Sequence, residues 1–463
     1  MPFSSFLFLC GFLPTFIAIY YLAPARMRNA VALVGSLLFY IWGEPYFSAT
    51  ILIVSLFDFF MSLKIASLPA RSKERKRLLA LVVALNVGVL VYFKYAEFFL
   101  KTLGIDFGIH IALPMGVSFI IFEEISYIVD VYRNTSKPAR QYPIYALFLF
   151  LFPHSIAGPI FRWRDMESQF YNRTHSLDKF ASGVLRFIFG LGKKILIADA
   201  FGKTADLIFS QPVSSLPSSW AWLGAVAYTI QIYFDFSGYS DMAIGLGRMM
   251  GFSFLENFNS PYFSTSMTDF WRRWHMSLSR WMRDYLYIPL GGNQRGSART
   301  YLNLCIVFTV SGLWHGANWT FVAWGFYHGL LLIFERLKGN RLSISNVYVN
   351  RWTALFFIIL GWVLFRAHSI TQAGEIWGRM LGWNTQITET TLSLGELLSN
   401  RSQVLLYFLG ALYLFGKENY LLKTATWIES RIALKWGCAF LVLYLSLCRL
   451  ASSTYSPFLY FRF

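Results

Sequence analysis

The stretch Ser311-Gly312-Leu313-Trp314-His315-Gly316-Ala317-Asn318 places a histidine inside an apolar run that extends from Tyr301 to Phe334. An imidazole at membrane depth is costly unless it is buried in protein or faces water, so such a residue is a functional candidate by default. Gly312 and Gly316 flank it as a G-x-x-x-G pair, and Gly325 and Gly329 form a second pair. Small residues at that spacing let neighbouring backbones approach closely. The pattern therefore puts His315 at a tight helix junction rather than against lipid. The structural alternative is a histidine that is simply hydrogen-bonded within a helix bundle.

Composition sets the class. Of 463 residues, 56% are hydrophobic and only 14% charged, with a mean hydropathy of +0.47. Soluble domains carry about a quarter charged residues, so the chain reads as an all-α polytopic membrane protein. The 46 Phe, 26 Tyr and 16 Trp suit the aromatic belts at membrane interfaces. A net charge of +17 would suggest nucleic acid in a soluble protein. Here the bases cluster between apolar runs, which points to anionic headgroups and cytoplasmic loops and away from nucleic acid. The four cysteines, Cys10, Cys305, Cys438 and Cys448, are scattered without a C-x-x-C pair and indicate neither a disulfide framework nor a zinc site.

Apolar runs fall near residues 5–23, 30–42, 46–66, 78–100, 109–131, 142–160, 183–209, 219–247, 301–334, 352–367, 403–416 and 433–449. A crossing needs about 20 residues, so about 10–12 transmembrane helices are expected, with some of the shorter runs tilted or re-entrant. Pro153, Pro159, Arg162 and Arg164 suggest a broken or re-entrant element. No repeat or composition shift divides the chain, which reads as one membrane domain over 1–463, with a core about 110–335 and C-terminal helices about 350–463. The stretch at 380–402 is the least apolar and reads as a solvent loop. The first run lacks a basic leader and a cleavage site and is expected to be retained as a span. Arg26 and Arg28 follow that run, and Arg71 to Arg77 follow the third. The positive-inside rule then puts these loops in the cytoplasm and the N-terminus outside.

The central polar block runs from Asn257 to Asn293. On one helix drawn from Asp269, Trp271, Trp274, Leu278, Trp281, Met282 and Tyr285 share a face, and Arg272, Arg273, Arg280 and Arg283 take the other. Bases opposite tryptophans mark a helix lying in the membrane interface, with His275 at the edge of its apolar face. The arginines suit phosphates, either of a nucleotide-bearing donor or of lipid headgroups. Upstream, Asp235 and Asp241 sit in an apolar run and require partners, most simply arginines or backbone amides. Glu123, Glu124, Asp130 and Asp58 are further acids of this kind. His110, His154, His175, His328 and His368 read as structural. On a continuous helix His328 would lie about 20 Å from His315 and roughly 140° round, so the two could not share a metal from one helix.

There is no G-x-S-x-G elbow, no G-x-x-x-x-G-K-[ST] loop and no H-E-x-x-H motif. What remains is a pair of protected histidines, suited to deprotonating a hydroxyl in a direct transfer.

These residues resemble the membrane-bound O-acyltransferases, in the branch that acts in alginate O-acetylation and teichoic acid D-alanylation. The resemblance rests on F-D-F-S-G-Y-S-D-M-A-I-G (Phe234 to Gly245), on N-F-N-S-P-Y and F-W-R-R-W-H-M-S-L-S (Asn257 to Ser279), and on L-W-H-G-A-N-W (Leu313 to Trp319). L-P-M-G-V-S-F (Leu113 to Phe119), S-Y-I-V-D-V-Y-R (Ser126 to Arg133) and F-P-H-S-I-A-G-P (Phe152 to Pro159) extend it. It implies a ring of helices around a thin central floor, pierced by a funnel or tunnel and accompanied by interfacial and re-entrant helices. His315 matches the family's catalytic histidine and His275 its supporting one. Arg272, Arg273, Arg280 and Asn318 become the expected contacts of the donor, acetyl-CoA or another acyl thioester, with no permanently bound cofactor and no metal. The resemblance also implies the bacterial inner membrane, periplasmic or membrane-anchored partner proteins, surrounding lipid, and an exopolysaccharide such as alginate or cellulose as final acceptor. A transporter or flippase for a lipid-linked sugar is the main alternative. Paired halves with broken helices would mark it, whereas the polar block here is single. A non-catalytic export scaffold would leave the two histidines without a purpose.

Overall fold

A backbone surrounded by lipid must satisfy its own N–H and C=O groups, and a helix does so within one segment. In the computed structural model all regular structure among the described residues is helical, without strands. The structure describes residues 2–105, 108, 111–155, 158–339, 346–383, 401–416 and 418–452. His110 and most of the stretch read as a solvent loop at 380–402 lie outside them. Among the described residues, four helices are long and apolar enough to cross a membrane unaided: Pro45–Ser67, Lys73–Thr102, Val347–Arg366 and Ile432–Ser452. The second starts where Ser72 caps it, its side chain accepting the backbone N–H of Arg75 at 3.1 Å. Other apolar runs are shorter or are divided. The run at 142–160 ends as a helix at Phe150, and the chain is helical again from Trp163 to Tyr171, so the proline-marked stretch is indeed broken.

Contacts divide the chain into two compact units, one of residues 1–187 and 242–256, the other of residues 188–241 and 257–463. Composition carries no sign of this division, which falls inside the Leu177–Gly192 and Ser218–Met249 helices. The first unit packs phenylalanines at 3, 8, 12, 16, 39 and 152 against one another. Its two sequence segments meet without side chains between them, because a Cβ on Gly183 or Gly245 would stand 2.6 Å from the other glycine's carbonyl oxygen. Two of its buried acids have local partners, whereas both carboxylate oxygens of buried Glu124 have no hydrogen-bond partner among the described residues. His154 Nδ1 lies 3.1 Å from Glu123, and Asn86 donates to Asp58 at 2.8 Å. Arg75, from the basic loop, is itself buried and donates to the carbonyl of Val131 and to Asn134.

The second unit holds the histidines of the polar block. Its centre is a close pair of helices, Gly296–His315 and Trp319–Lys338, into which the 301–334 run is cut. A Cβ on Gly312 would overlap the carbonyl oxygen of Phe321 and stand 3.0 Å from the Cα of Gly325, and one on Gly325 would overlap the carbonyl oxygen of Phe308. One glycine of each pair, Gly312 and Gly325, thus sets backbone against backbone, while a Cβ on Gly316 would overlap the Phe321 ring and Gly329 has room. Either Gly312→Ala or Gly325→Ala should lower stability by about 1–3 kcal/mol or more, the usual result of overpacking. Gly88→Ala, where a Cβ meets nothing within 4 Å, should instead stabilise by roughly 0.5–1 kcal/mol. Thermal unfolding of the purified variants in one detergent tests both signs.

Candidate active site

The sequence Trp314-His315-Gly316-Ala317-Asn318-Trp319 is a stop, a turn and a restart. Gly316 is extended and ends the first helix. Asn318 then caps the second, its side chain accepting the N–H of Thr320 at 2.9 Å. His315 is therefore the last residue of a helix, where the unsatisfied carbonyls and the macrodipole favour a positive charge forming on the ring, by up to about 2 kcal/mol when partly buried. Its imidazole is enclosed by Trp314, Trp324 and Phe365 at ring distances of 5.0, 5.2 and 5.3 Å. The ring of His275 lies 6.2 Å away. Two histidines forty residues apart in sequence are thus brought to one place.

His275 does not sit on the single amphipathic helix drawn from the sequence. The chain forms two short helices, Met267–Arg273 and Met276–Met282, and His275 occupies the break with φ +43°. The left-handed region costs a non-glycine residue roughly 1–2 kcal/mol. Tertiary pairing holds the break open: Asn259 N–H donates to the carbonyl of Arg273, and Met276 N–H to that of Asn257, both at 2.9 Å. The sorting of faces survives the correction, since Trp271, Trp274, Leu278, Trp281 and Met282 are buried and Arg272 and Arg283 exposed.

Asn257 also fixes the chemistry of His275. Its Oδ1 accepts the backbone N–H and the hydroxyl of Ser277, at 3.2 and 2.9 Å, while its Nδ2 donates to Ser240 at 3.2 Å. The atom facing His275 Nδ1 at 3.2 Å is therefore an oxygen. Nδ1 must carry the proton, and Nε2, which has no hydrogen-bond partner among the described residues, presents its lone pair. Burial lowers the pKa of His275 to about 3, so the ring is neutral. Phe236 meets it edge-on at 4.6 Å. Asn257 was visible only as part of the N-F-N-S-P-Y motif, with no signal of its role.

Asp235 and Asp241 are partnered by lysines rather than arginines. Lys194 lies 2.8 Å from Asp235 and 2.6 Å from Asp199, and Lys193 lies 2.6 Å from Asp241. His328 is buried against the same tryptophan as His315, with a ring distance of 5.0 Å to Trp324. The helix continuous from His315 to His328, assumed from the sequence, is in fact two helices joined at Gly316–Asn318. Of the four residues expected at the donor, Arg273 is engaged by Asp269 and Glu418 at 3.0 and 3.1 Å. Asn318 is a helix cap that also donates to the carbonyl of His368 at 3.4 Å. Arg280 donates its Nε–H to the carbonyl of Met276 at 3.2 Å. Arg272 lines a groove open toward its own exposed end.

Two histidine rings thus lie 6.2 Å apart in an apolar enclosure of an all-helical membrane protein, and the comparisons give the class. Residues 72–372 match the family described as MBOAT, membrane-bound O-acyltransferase, and the chain belongs to that family. It is 42% identical to a probable alginate O-acetylase of Pseudomonas putida over 489 residues, covering the whole of both chains. It is 35% identical to a peptidoglycan O-acetyltransferase of Helicobacter pylori, over 82% of this chain and 80% of that one. A teichoic acid D-alanyltransferase of Bacillus subtilis is more distant, at 28% identity over 53% of this chain and 65% of its own. The protein is a membrane-bound O-acyltransferase.

Two outcomes follow from the site's wiring. Asn257→Ala frees the imidazole of its tautomer and orientation, and should lower the turnover of acyl transfer by about tenfold or more with the protein still folded. A turnover equal to wild type in reconstituted vesicles would remove Asn257 from the site. Lys194→Met leaves two buried carboxylates without their cation, a change that costs about 3–5 kcal/mol. It should appear as lost abundance in membranes, and wild-type abundance would mean that the triad carries no stability.

Proposed function

We propose that the protein moves an acetyl group from a cytoplasmic acyl thioester, such as acetyl-CoA, toward O-acetylation of an exopolysaccharide, alginate being the substrate class its full-length relatives suggest. The observation that carries the reading is the placement of His315, at a helix C-terminus, with its ring 6.2 Å from that of His275, whose Nε2 has no hydrogen-bond partner among the described residues. His315 takes the proton of the acceptor hydroxyl as its oxygen attacks the thioester carbonyl. A C–O bond forms, the C–S bond breaks, and the thiolate leaves and recovers the proton. The imidazolium formed in between is favoured by the carbonyls at the helix end. His275, with its tautomer set by Asn257, accepts a hydrogen bond and orients the incoming group.

Arg280 is the arginine we assign to the donor's phosphates, because Arg273 and Asn318 hold helices together. The chain sits in the bacterial inner membrane with its N-terminus outside and the Arg71–Arg77 loop in the cytoplasm. Periplasmic or membrane-anchored acetyltransferases carry the group onward to the polysaccharide. A cysteine placed at exposed Arg71 in a background without native cysteines should resist an impermeant thiol reagent in intact cells, and prompt labelling would reverse the orientation.

His315→Ala should abolish O-acetylation while the protein still accumulates, since loss of a general base costs on the order of a hundredfold or more. His275→Ala should be severely impaired but retain more activity. The double variant should be little worse than His315→Ala, because residues that act as a unit are non-additive. Acetyl transfer from labelled donor in membranes containing the partner measures all three. Wild-type acetyl content with His315→Ala at normal abundance would sink the reading.

A further inference from the structure

A groove of about 1360 Å³ runs along the second unit, bounded by the Met267–Arg273, Met276–Met282, Gly296–His315, Trp319–Lys338 and Val347–Arg366 helices. Its volume exceeds the roughly 300–1,000 Å³ typical of sites for compact soluble ligands. Its wall is apolar, with Leu304, Phe308, Leu330, Phe334 and Phe357 among its residues. Part of that wall faces outward: Leu330 is 46% and Phe334 48% exposed. Aliphatic and aromatic surface of this kind on a membrane protein is a lipid-facing surface.

One end of the groove is charged. Glu335 is there, but its carboxylate is already engaged by the backbone N–H groups of Met267 and Thr268 and by the Thr268 hydroxyl. Arg283 is paired with Asp284 at 2.7 Å. Arg272 lies one helical turn beyond Thr268, and Arg336 follows Glu335. Both line the groove, both are exposed, and neither has an ion pair among the described residues. The end therefore presents two uncompensated guanidinium groups above an apolar trough. Guanidinium matches phosphate oxygens in geometry as well as charge.

We propose that this groove is a binding site for an anionic diacyl phospholipid, with the phosphate held between Arg272 and Arg336 and the acyl chains lying against Leu330, Phe334 and Phe357. The occupant is a lipid and not the phosphate-bearing acyl donor, because the trough is larger than such a donor needs and opens along lipid-facing residues. The assignment is independent of the proposed acetyl transfer.

The test uses the full chain in nanodiscs of equal parts phosphatidylglycerol and phosphatidylcholine, with lipid retention read by native mass spectrometry after release. Wild type should keep phosphatidylglycerol in preference to phosphatidylcholine. Arg272→Ala/Arg336→Ala should keep roughly ten- to thirtyfold less, the loss expected when two interfacial arginines are removed. Ala354→Phe, which fills the trough and leaves both arginines in place, should also reduce retention, so a folding defect in the first variant does not decide the matter. Equal retention of the two lipids, or unchanged retention in both variants, overturns the proposal. Displacement of the lipid by acetyl-CoA would assign the groove to the donor and overturn it as well.

Discussion

The backbone contact between Gly312 and Gly325 is the constraint on which the site depends. Two helices that touch through glycine can bring the end of one and the start of the other within reach of the same aromatic rings. His315 then stands at a helix end and is sheltered at once, positions that normally exclude each other because helix ends tend to face water. Trp324, one residue before Gly325, contacts the rings of both His315 and His328. Were the helices a side chain further apart, the enclosure around the imidazole would open.

The second support is electrostatic. A buried carboxylate is costly without a partner, and the Ser218–Met249 helix carries two acids at positions where lysines from the 193–194 stretch meet them. That helix also contributes Phe236, whose ring edge meets His275, and Ser240, which receives Asn257 Nδ2. Charges in the interior thus position a helix whose apolar and hydroxyl side chains then shape the histidine site, without any charged group contacting the imidazole among the described residues.

Much of this was legible in the sequence, for identifiable reasons. One glycine on each side of His315, Gly312 and Gly316, pointed to a tight helix junction there. The F-W-R-R-W-H motif located the second histidine. Its geometry was hidden, because periodicity assumes a continuous helix and the left-handed residue at His275 is held by a partner segment, Asn257 to Asn259, that leaves no periodic trace. Lys193 and Lys194 were hidden for the opposite reason, since they lie within an apolar run and read as its interruption rather than as counterions. The relation of His315 to His328 could be seen only once the helix was known to be two.

The first unit is assembled from two separated stretches, and this has a consequence for biosynthesis. The ribosome delivers residues 1–187, then 54 residues that belong elsewhere, and only then the returning segment 242–256. Until that segment is made, Gly183 lacks its facing backbone, and the hydroxyls of Tyr20 and Tyr21 lack the carbonyls of Met250 and Met249, to which they donate at 2.8 and 2.6 Å. The Lys179 ammonium likewise waits for the carbonyl of Gly251. The N-terminal unit therefore cannot close as it emerges. It is completed only after residue 256 has been translated, when residues 188–241 of the other unit have already been made.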